Sequence, residues 1–265
     1  MPTKAELLNA SAVIAAHIAS LPPDYHPDAQ AYFDRMTVKP NDTKKRAISD
    51  FVESCVADGS WSSIAVLNLF RMHDTQSRFA NLKPTSGNAF DLVAVNAAGK
   101  AGITATAVGL KGDGFSYLRT AYFCPTGQQN NHHIGMVSET AGMLDGLACG
   151  NQNVGIGFRY TSGMYSERVN SDYLSANVTT GKQHVILNRL LAASYAAIKD
   201  GISVVRTKAS VAPSQSPITI FGNKDKASFW SGEASAFHAG PAFTSPAIAA
   251  AFQARLATLN AALIA

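Results

Sequence analysis

The chain has 265 residues, of which 46% are hydrophobic and only 15% charged, and its formal net charge is +4. This length is enough for one large β-sandwich with a small helical part, and the hydrophobic fraction is enough to fill its core. The positive charge is too small and too dispersed to predict nucleic-acid binding. Sparse charge with many Ser, Thr, Asn and Gly residues is typical of an extracellular or virion β-protein.

Cysteine usage and hydropathy exclude several further classes. Cys55, Cys124 and Cys149 are odd in number and lack the C-x-x-C spacing, which argues against a disulfide framework and against a zinc site. We predict buried thiols in a protein made in a reducing compartment. No run of eighteen apolar residues occurs, and polar side chains interrupt residues 5–20, so we predict neither a transmembrane helix nor a signal peptide.

The first 26 residues have a helical pattern followed by a proline-rich stretch. Leu7, Ile14 and Ile18 lie on one side of a predicted helix over residues 4–20, and three prolines occur within residues 22–27. Prolines this dense make a stiff, extended tether. We therefore predict that residues 1–26 are an anchoring or oligomerisation helix with its tether. A helix packed on its own domain stays open as the alternative.

Residues 27–85 are predicted to form a helical lead-in. One helix begins at Pro27 and is broken at Pro40, and a second is capped by Asp42 or Thr43. Gly59, directly after the last periodic residue of that second helix, is an expected C-terminal cap. The apolar run that follows, over residues 65–71, is too short to assign by periodicity.

From about residue 86 the hydrophobic period changes to two, which indicates β-strands. Short strands at roughly ten-residue spacing, with turn residues between them, predict a sandwich rather than a parallel α/β sheet. The pair Asp200-Gly201 predicts a hairpin between two of these strands. The predicted strands before the last fifty residues cover residues 90–95, 103–108, 117–123, 132–139, 146–149, 154–160, 165–169, 172–178, 184–189, 194–198 and 202–208.

The last fifty residues predict two strands and a docked helix. A β-branched run over residues 217–222 is followed by a second apolar run over 227–238. Ser245-Pro246 then begins a helix whose apolar stripe includes Phe252 and Leu256. We predict that residues 86–265 form an antiparallel sandwich ending in the helix 246–264.

This C-terminal stretch resembles the end of the concanavalin A/laminin-G-like jelly rolls found in phage and prophage structural proteins. Its pattern W-x-G-x-x-A-x-x-x-x-G begins at Trp230 and leads into the alanine-rich helix. Residues 59–98 and 109–122 resemble the beginning of such modules, and the likeness extends from about Asp28 to the C-terminus. The resemblance implies a mainly β jelly-roll sandwich, with a helical region before it and a helix after it, in a virion surface protein.

The patterns that usually carry metal chemistry are weak here. Adjacent strand residues point to opposite faces, so His132 and His133 cannot bind one metal together. Gly112-Asp113-Gly114 is a candidate calcium loop, but Ca²⁺ requires six or more oxygen ligands, so a simple turn is favoured. We expect no cofactor, with calcium kept as the lesser alternative.

Carboxylates give no sign of glycoside hydrolysis. That reaction uses two carboxyl groups about 5–10 Å apart across the sugar. Glycosidases of the resembled fold use a strand of the form E-x-D-x-x-E, and that spacing is absent here. Glu139, Glu167 and Glu233 each stand alone in the sequence. We therefore predict that the protein is not an enzyme.

Sugar binding requires only aromatic faces and polar side chains, and residues 151–173 contain both. Strand alternation prevents all of them from sharing one face, so a solvated sheet face with ordinary tyrosine pairs stays open. The predicted carbohydrate-binding residues are Asn151, Arg159, Tyr160, Tyr165, Arg168 and Tyr173.

The sequence and the resemblance together predict a virion surface protein of a phage or phage-derived particle, such as a fibre, spike or decoration protein. It would be made in the bacterial cytoplasm and would attach to host-surface polysaccharide. The first helix would contact other virion proteins, and we expect a homo-oligomer, with a trimer as the favoured form. The main alternative is a purely structural capsid, collar or baseplate component, and a polysaccharide-degrading enzyme is the lesser one.

Overall fold

Two antiparallel β-sheets make up most of this chain. The structure is a computed structural model, and it describes residues 3–4, 24–83, 90–140, 146–159, 164–171, 174–177, 182–223 and 228–264. The predicted fold class is confirmed: the chain is a mainly β, antiparallel jelly-roll sandwich with a helical region before it and a helix at its end. The predicted helix and tether at 1–26 lie almost wholly outside the described residues.

Most of the predicted strands are present, several of them shorter than expected. The described strands are β1 (Val66–Leu69), β2 (Val93–Val95), β3 (Thr104–Thr106), β4 (Gly109–Lys111), β5 (Tyr117–Arg119), β6 (His132–Ser138), β7 (Gly146–Gly150), β8 (Val154–Arg159), β9 (Met164–Val169), β10 (Leu174–Asn177), β11 (Gln183–Arg189), β12 (Ser194–Lys199), β13 (Ile202–Thr207), β14 (Thr219–Ile220), β15 (Gly222–Asn223), β16 (Ser228–Phe229) and β17 (Glu233–Gly240).

The strands are divided between two large sheets. Sheet 1 has the order β13-β12-β11-β6-β17-β4-β3, and β1 also pairs with β17 beyond the end of β4. Sheet 2 has the order β10-β9-β8-β7-β14-β5-β2, and β15 and β16 form a small separate hairpin. The chain crosses between the sheets several times, so strands that are neighbours in a sheet are often distant in sequence.

The α-helices of the described residues are α1 (Pro27–Arg35), α2 (Asp42–Ala57), α3 (Thr75–Phe79) and α4 (Pro246–Ala262). Three of them, α1, α2 and α4, begin and end close to the predicted residues, whereas α3 was not predicted. The cap of α2 is Asn41, whose side chain accepts a hydrogen bond from the Lys44 backbone, rather than the predicted Asp42 or Thr43. Gly59 follows α2 with φ of +81°, as the C-cap prediction requires. No helix among the described residues is long and apolar enough to cross a membrane.

The central strands of sheet 1, β6, β11 and β17, are buried on both faces. Met136 and Phe237 point toward sheet 2, where they pack with residues such as Ile156. On the opposite face Ile186 and Ala236 pack against the helices, chiefly α2 and α4. The molecule therefore has three layers, which are the helices, sheet 1 and sheet 2, with a hydrophobic core in each of the two gaps.

The predicted lead-in at residues 27–85 is part of this layered structure rather than a separate unit. The run that periodicity left unassigned is β1, which pairs antiparallel with the last strand, β17. The backbone N–H of Leu67 is also bonded to the Asn81 side chain at 2.8 Å. Because α1 and α2 share the second core with α4, the two ends of the chain stabilise each other.

The hairpin predicted at Asp200-Gly201 is confirmed. Asp200 and Gly201 both have positive φ, +46° and +83°, and they join β12 to β13 with Lys199 opposite Ile202. Positive φ at both central residues is the type I′ conformation that two-residue hairpins favour.

A tight contact in the middle of sheet 1 generates a first prediction. Gly135 on β6 lies opposite His238 on β17, and a methyl group at Gly135 would meet the His238 ring at 2.1 Å. We expect Gly135→Ala to lower the free energy of unfolding by about 1–3 kcal/mol, because the ring must move within a packed core. Denaturant titration measures this change.

The double variant Gly135→Ala/His238→Ala is the control for that mechanism. If the clash with the ring is the cause, the double variant loses less stability than the sum of the two single variants. Strict additivity of the two changes would contradict the steric explanation.

Candidate functional site

Two of the predicted sugar-binding side chains lie inside the fold. Asn151 is 1% exposed, donates to the Ser216 carbonyl at 2.8 Å and accepts from the Val154 backbone at 3.1 Å. Arg168 is also buried, and its Nη2 donates to the Asn151 carbonyl at 2.6 Å. Both side chains therefore bind backbone atoms around the turn before β8, and their contact with a sugar stays an untested prediction.

Of the other four predicted residues, two lie on strands of sheet 2. Arg159 is the last residue of β8, and the backbone of Tyr165 in β9 pairs with Phe158. Tyr160 and Tyr173 lie outside the described residues. The predicted region thus belongs to sheet 2, and its contact with a ligand stays a prediction.

A different row of side chains on sheet 2 is exposed and rich in aromatic rings. From residue 115 to residue 124 the side chains alternate strictly, with the even-numbered ones buried and the odd-numbered ones partly or fully exposed. We call the outward-facing set Phe115, Tyr117, Arg119 and Phe123 the aromatic stripe. Phe115 and Phe123 are 51% and 40% exposed.

The stripe lies on the outer face of sheet 2, away from sheet 1. Leu118 packs into the core between the sheets, so its neighbours Tyr117 and Arg119 point outward. Side chains on the same face of a strand are about 6–7 Å apart, a spacing slightly longer than one sugar ring. Helices cover the outer face of sheet 1, so this face of sheet 2 is the more accessible one.

Two cations accompany the aromatic rings. Lys100 Nζ lies 3.9 Å from the centroid of the Phe115 ring, and Arg119 is exposed on β5. Neither side chain forms an ion pair within the described part of the chain. The stripe therefore combines apolar ring faces with unneutralised positive charge.

The hairpin of β15 and β16 supports the centre of the stripe. The half-buried Phe229 ring lies beside Tyr117, with centroids 6.3 Å apart and planes inclined by 30°. Gly222 makes room for it, since a Cβ there would meet Phe229 at 2.5 Å. The neighbouring Trp230 is fully buried against Phe221, as expected if only one of the two adjacent aromatic residues faces outward.

The carboxylates considered as metal ligands or catalytic groups accept hydrogen bonds or form ion pairs within the protein. Asp113 accepts hydrogen bonds from Gly102, Phe115 and Ser116. Partial burial works against its ionisation, but these hydrogen bonds outweigh burial and hold the pKa below its ordinary value. Asp113 therefore stabilises a turn, and the described residues contain no cluster of three or more His, Cys, Asp or Glu able to hold a metal.

Two of the three glutamates considered for catalysis are in ion pairs. Glu139 is paired with Arg71 at 2.6 Å and with Lys182 at 3.1 Å. Glu167 is fully buried, with Arg206 Nε at 2.6 Å and the Tyr195 hydroxyl at 3.2 Å. These contacts account for both carboxylates as structural groups that join strands and loops.

Three buried histidines form a hydrogen-bonded chain that the sequence did not predict. His133 Nδ1 donates to the Pro241 carbonyl at 2.7 Å, since a carbonyl can only accept. His133 Nε2 then accepts from His238 Nδ1 at 3.0 Å, and His238 Nε2 accepts from His184 at 2.9 Å. Three strands far apart in sequence supply these rings, so no local motif reveals the cluster.

Burial favours the neutral form of all four histidines of this region. Burial lowers the pKa of His132 and His184 to about 3 and that of His133 to about 4, and it takes the pKa of His238 well below its ordinary value. As predicted, His132 and His133 point to opposite sides of β6. His132 stacks on Tyr122, and neither of its ring nitrogens has a partner among the described residues.

Comparison with known proteins gives weak likenesses only. No family model and no curated protein matches this chain. One similar structure is domain 4 of AbnA, a GH43 extracellular arabinanase from Geobacillus stearothermophilus in complex with arabinotriose, with a TM-score of 0.46, 11% identity and coverage of 72% of this chain and 98% of that one.

Two further similar structures are larger than this chain. The botulinum neurotoxin serotype D binding domain has a TM-score of 0.44 and 9% identity, and the match covers 73% of this chain and 51% of that domain. The Trypanosoma rangeli sialidase in complex with difluorosialic acid has a TM-score of 0.44 and 12% identity, and the match covers 78% of this chain and 39% of the sialidase. No function of this chain follows from likenesses at this level.

The neutral histidines predict acid-sensitive stability. An unfolded histidine has a pKa of about 6.5, so below that pH the unfolded chain binds protons that the folded chain does not. The stability contributed by these groups is complete above pH ~6.5 and is lost as the pH falls toward 4, at up to ~1.4 kcal/mol per pH unit for each histidine. Chemical denaturation across this pH range measures the slope.

His132→Phe and His73→Phe form a matched pair for this test. His132→Phe should raise stability at pH 7 by about 1 kcal/mol, because the buried ring nitrogens lack partners, and should reduce the pH slope by one proton. His73 is exposed and lies 2.9 Å from Asp74, so its replacement removes a surface ion pair and should not reduce the slope. Equal slopes for both variants would show that His132 does not cause the acid sensitivity.

Proposed function

We propose that this protein is an adhesion protein that binds a linear, carboxylate-bearing polysaccharide along the aromatic stripe. The observation that carries the proposal is the row of Phe115, Tyr117 and Arg119, which are partly or fully exposed on the outer side of sheet 2, with Lys100 beside it. Ring faces pack against the C–H groups of sugars. A guanidinium fork binds a carboxylate through two parallel hydrogen bonds, which favours an anionic glycan over a neutral one.

The proposal is for binding without catalysis. Glu139 and Glu167 are bound to cations, and this supports structural roles for both. A weak contact with each glycan chain is sufficient, because several copies on one particle raise the overall affinity through avidity.

We place this activity on the surface of a phage or phage-derived particle, as a fibre, spike or decoration protein. The support is the resemblance of residues 59–98, 109–122 and 217–265 to phage structural jelly rolls. An antibody against the folded protein should label the surface of intact purified particles in electron microscopy. Labelling only of disrupted particles would contradict an exposed position.

A purely structural role is the second candidate. Exposed aromatic residues such as Phe115 and Phe123 also occur at protein–protein interfaces. In that case the stripe would bind another virion protein, and the same variants would affect assembly rather than polysaccharide binding.

The stripe variants test the proposed function directly. The full chain should bind immobilised polygalacturonate, and Tyr117→Ala and Arg119→Gln should each weaken binding by about tenfold, equivalent to ~1.4 kcal/mol. Raising the salt concentration should weaken binding of the unaltered protein and have less effect on Arg119→Gln, because one charge contact is absent. Biolayer interferometry gives these affinities.

Carboxyl-reduced polygalacturonate and the variant Leu191→Ala are the controls. Leu191 is an exposed apolar residue after β11 in sheet 1, so its loss should not change the affinity. Equal binding of the reduced polymer would contradict the preference for carboxylates and leave glycan binding itself intact. Absence of binding to either polymer and to a panel of capsular polysaccharides and lipopolysaccharides would contradict the proposed function.

A further inference from the structure

The edge strand β13 is exposed and apolar. It lies at the end of sheet 1 and pairs only with β12 among the described residues. Ile202 and Val205 are each 70% exposed, and Val204 is also exposed. An exposed, apolar edge strand is a strong template for pairing with another strand, because it presents unpaired backbone N–H and C=O groups.

The unpaired backbone groups of β13 can be identified from the hairpin. In a two-residue hairpin the residues flanking the turn, here Lys199 and Ile202, form a hydrogen-bonded pair, and such pairs alternate along the strands. The bond from Lys208 N to the Ala193 carbonyl at 2.9 Å fits this alternation. The N–H and C=O groups of the intervening residues Ser203, Val205 and Thr207 therefore point away from the sheet.

Most of the usual protections of an edge strand are absent from β13, the exception being one inward-pointing charge. Natural edges carry lysine, proline or a bulge that prevents pairing with other chains. The strand Ile202–Thr207 contains no lysine and no proline, and its register with β12 is regular throughout. Its one charge, Arg206, is turned inward and paired with Glu167 at 2.6 Å.

We propose that β13 is the interface with a second copy of this chain, paired antiparallel about a two-fold axis at Val205. In this register Val205 faces Val205 of the second copy, and Ser203 faces Thr207. The three outward-pointing residues of each strand then meet one another, and every exposed N–H and C=O among them acquires a partner. The two copies of sheet 1 become one continuous sheet.

The charges near β13 are compatible with this symmetric register. Lys208 lies opposite Ile202 of the second copy and diagonal to its Asp200, which places opposite charges within side-chain reach. Arg206 lies opposite Val204, so no like charges face each other. A two-fold pair, rather than the trimer expected from the sequence, is the assembly that this edge builds, and it does not depend on the proposed glycan.

Cysteine cross-linking tests the register. Residues of a hydrogen-bonded antiparallel pair have Cα atoms about 5.5 Å apart, within the range that a disulfide spans. Val205→Cys should therefore form a covalent dimer on mild oxidation. Ser203→Cys mixed with Thr207→Cys should cross-link, whereas Ile202→Cys alone should not. Equally efficient cross-linking of Ile202→Cys would overturn the proposed register.

Sedimentation velocity over a concentration series tests the association without any cross-link. The unaltered chain should change from monomer to dimer as its concentration rises. Val205→Lys should stay monomeric, because two lysine side chains would then meet at the two-fold axis. Val93→Lys on β2, the edge of sheet 2, is the matched control and should dimerise normally. A chain that stays monomeric throughout, or that loses dimers only through Val93→Lys, overturns the proposal.

Discussion

Burial of the central strands of sheet 1 on both faces is the constraint on which the rest of the molecule depends. Polar side chains on these strands are shielded from water, so burying one without a hydrogen-bond partner costs stability. The histidine chain across β6, β11 and β17 meets this requirement on the helical side. Arg189 meets it at the end of β11, where its guanidinium donates to carbonyls of Val169 in sheet 2 and of Lys208 beyond β13. These networks fix how the helices and the second sheet pack on the central layer.

The same constraint determines where the molecule can interact with anything else. With one face of the central strands of sheet 1 under the helices and the other against sheet 2, the surfaces that we propose for partners are the outer face of sheet 2 and the edge strand β13. The first presents the aromatic stripe with its two cations, and the second presents backbone groups with small apolar side chains. The proposed ligand and the proposed second copy therefore use separate surfaces, and the proposed pair would hold one long polymer at two points.

Local signals in the sequence were sufficient to predict much of this fold. Features that depend on residues distant in the sequence could not be predicted. The Asp200-Gly201 turn, the Ser245 cap and the period-two strands depend on neighbours in sequence, and their prediction succeeded for that reason. The strand β1 could not be assigned, because its identity depends on β17, at the other end of the chain. The alternation from Phe115 to Phe123 was visible in the sequence, but only the layer order shows which of its two sides faces away from sheet 1. The histidine cluster depends on the register of three strands and has no local signal.

The burial of the cysteines has a practical consequence for studying this protein. Cys55, Cys124 and Cys149 are free thiols with little or no exposed surface, and burial raises the pKa of each, that of Cys55 to about 11. Thiolates are the reactive form, so maleimide dyes should leave these three side chains unmodified in the folded state. A single cysteine introduced on the surface can then carry one fluorophore at a known position, without removal of the native thiols. Distances between such fluorophores are accessible to single-molecule energy transfer.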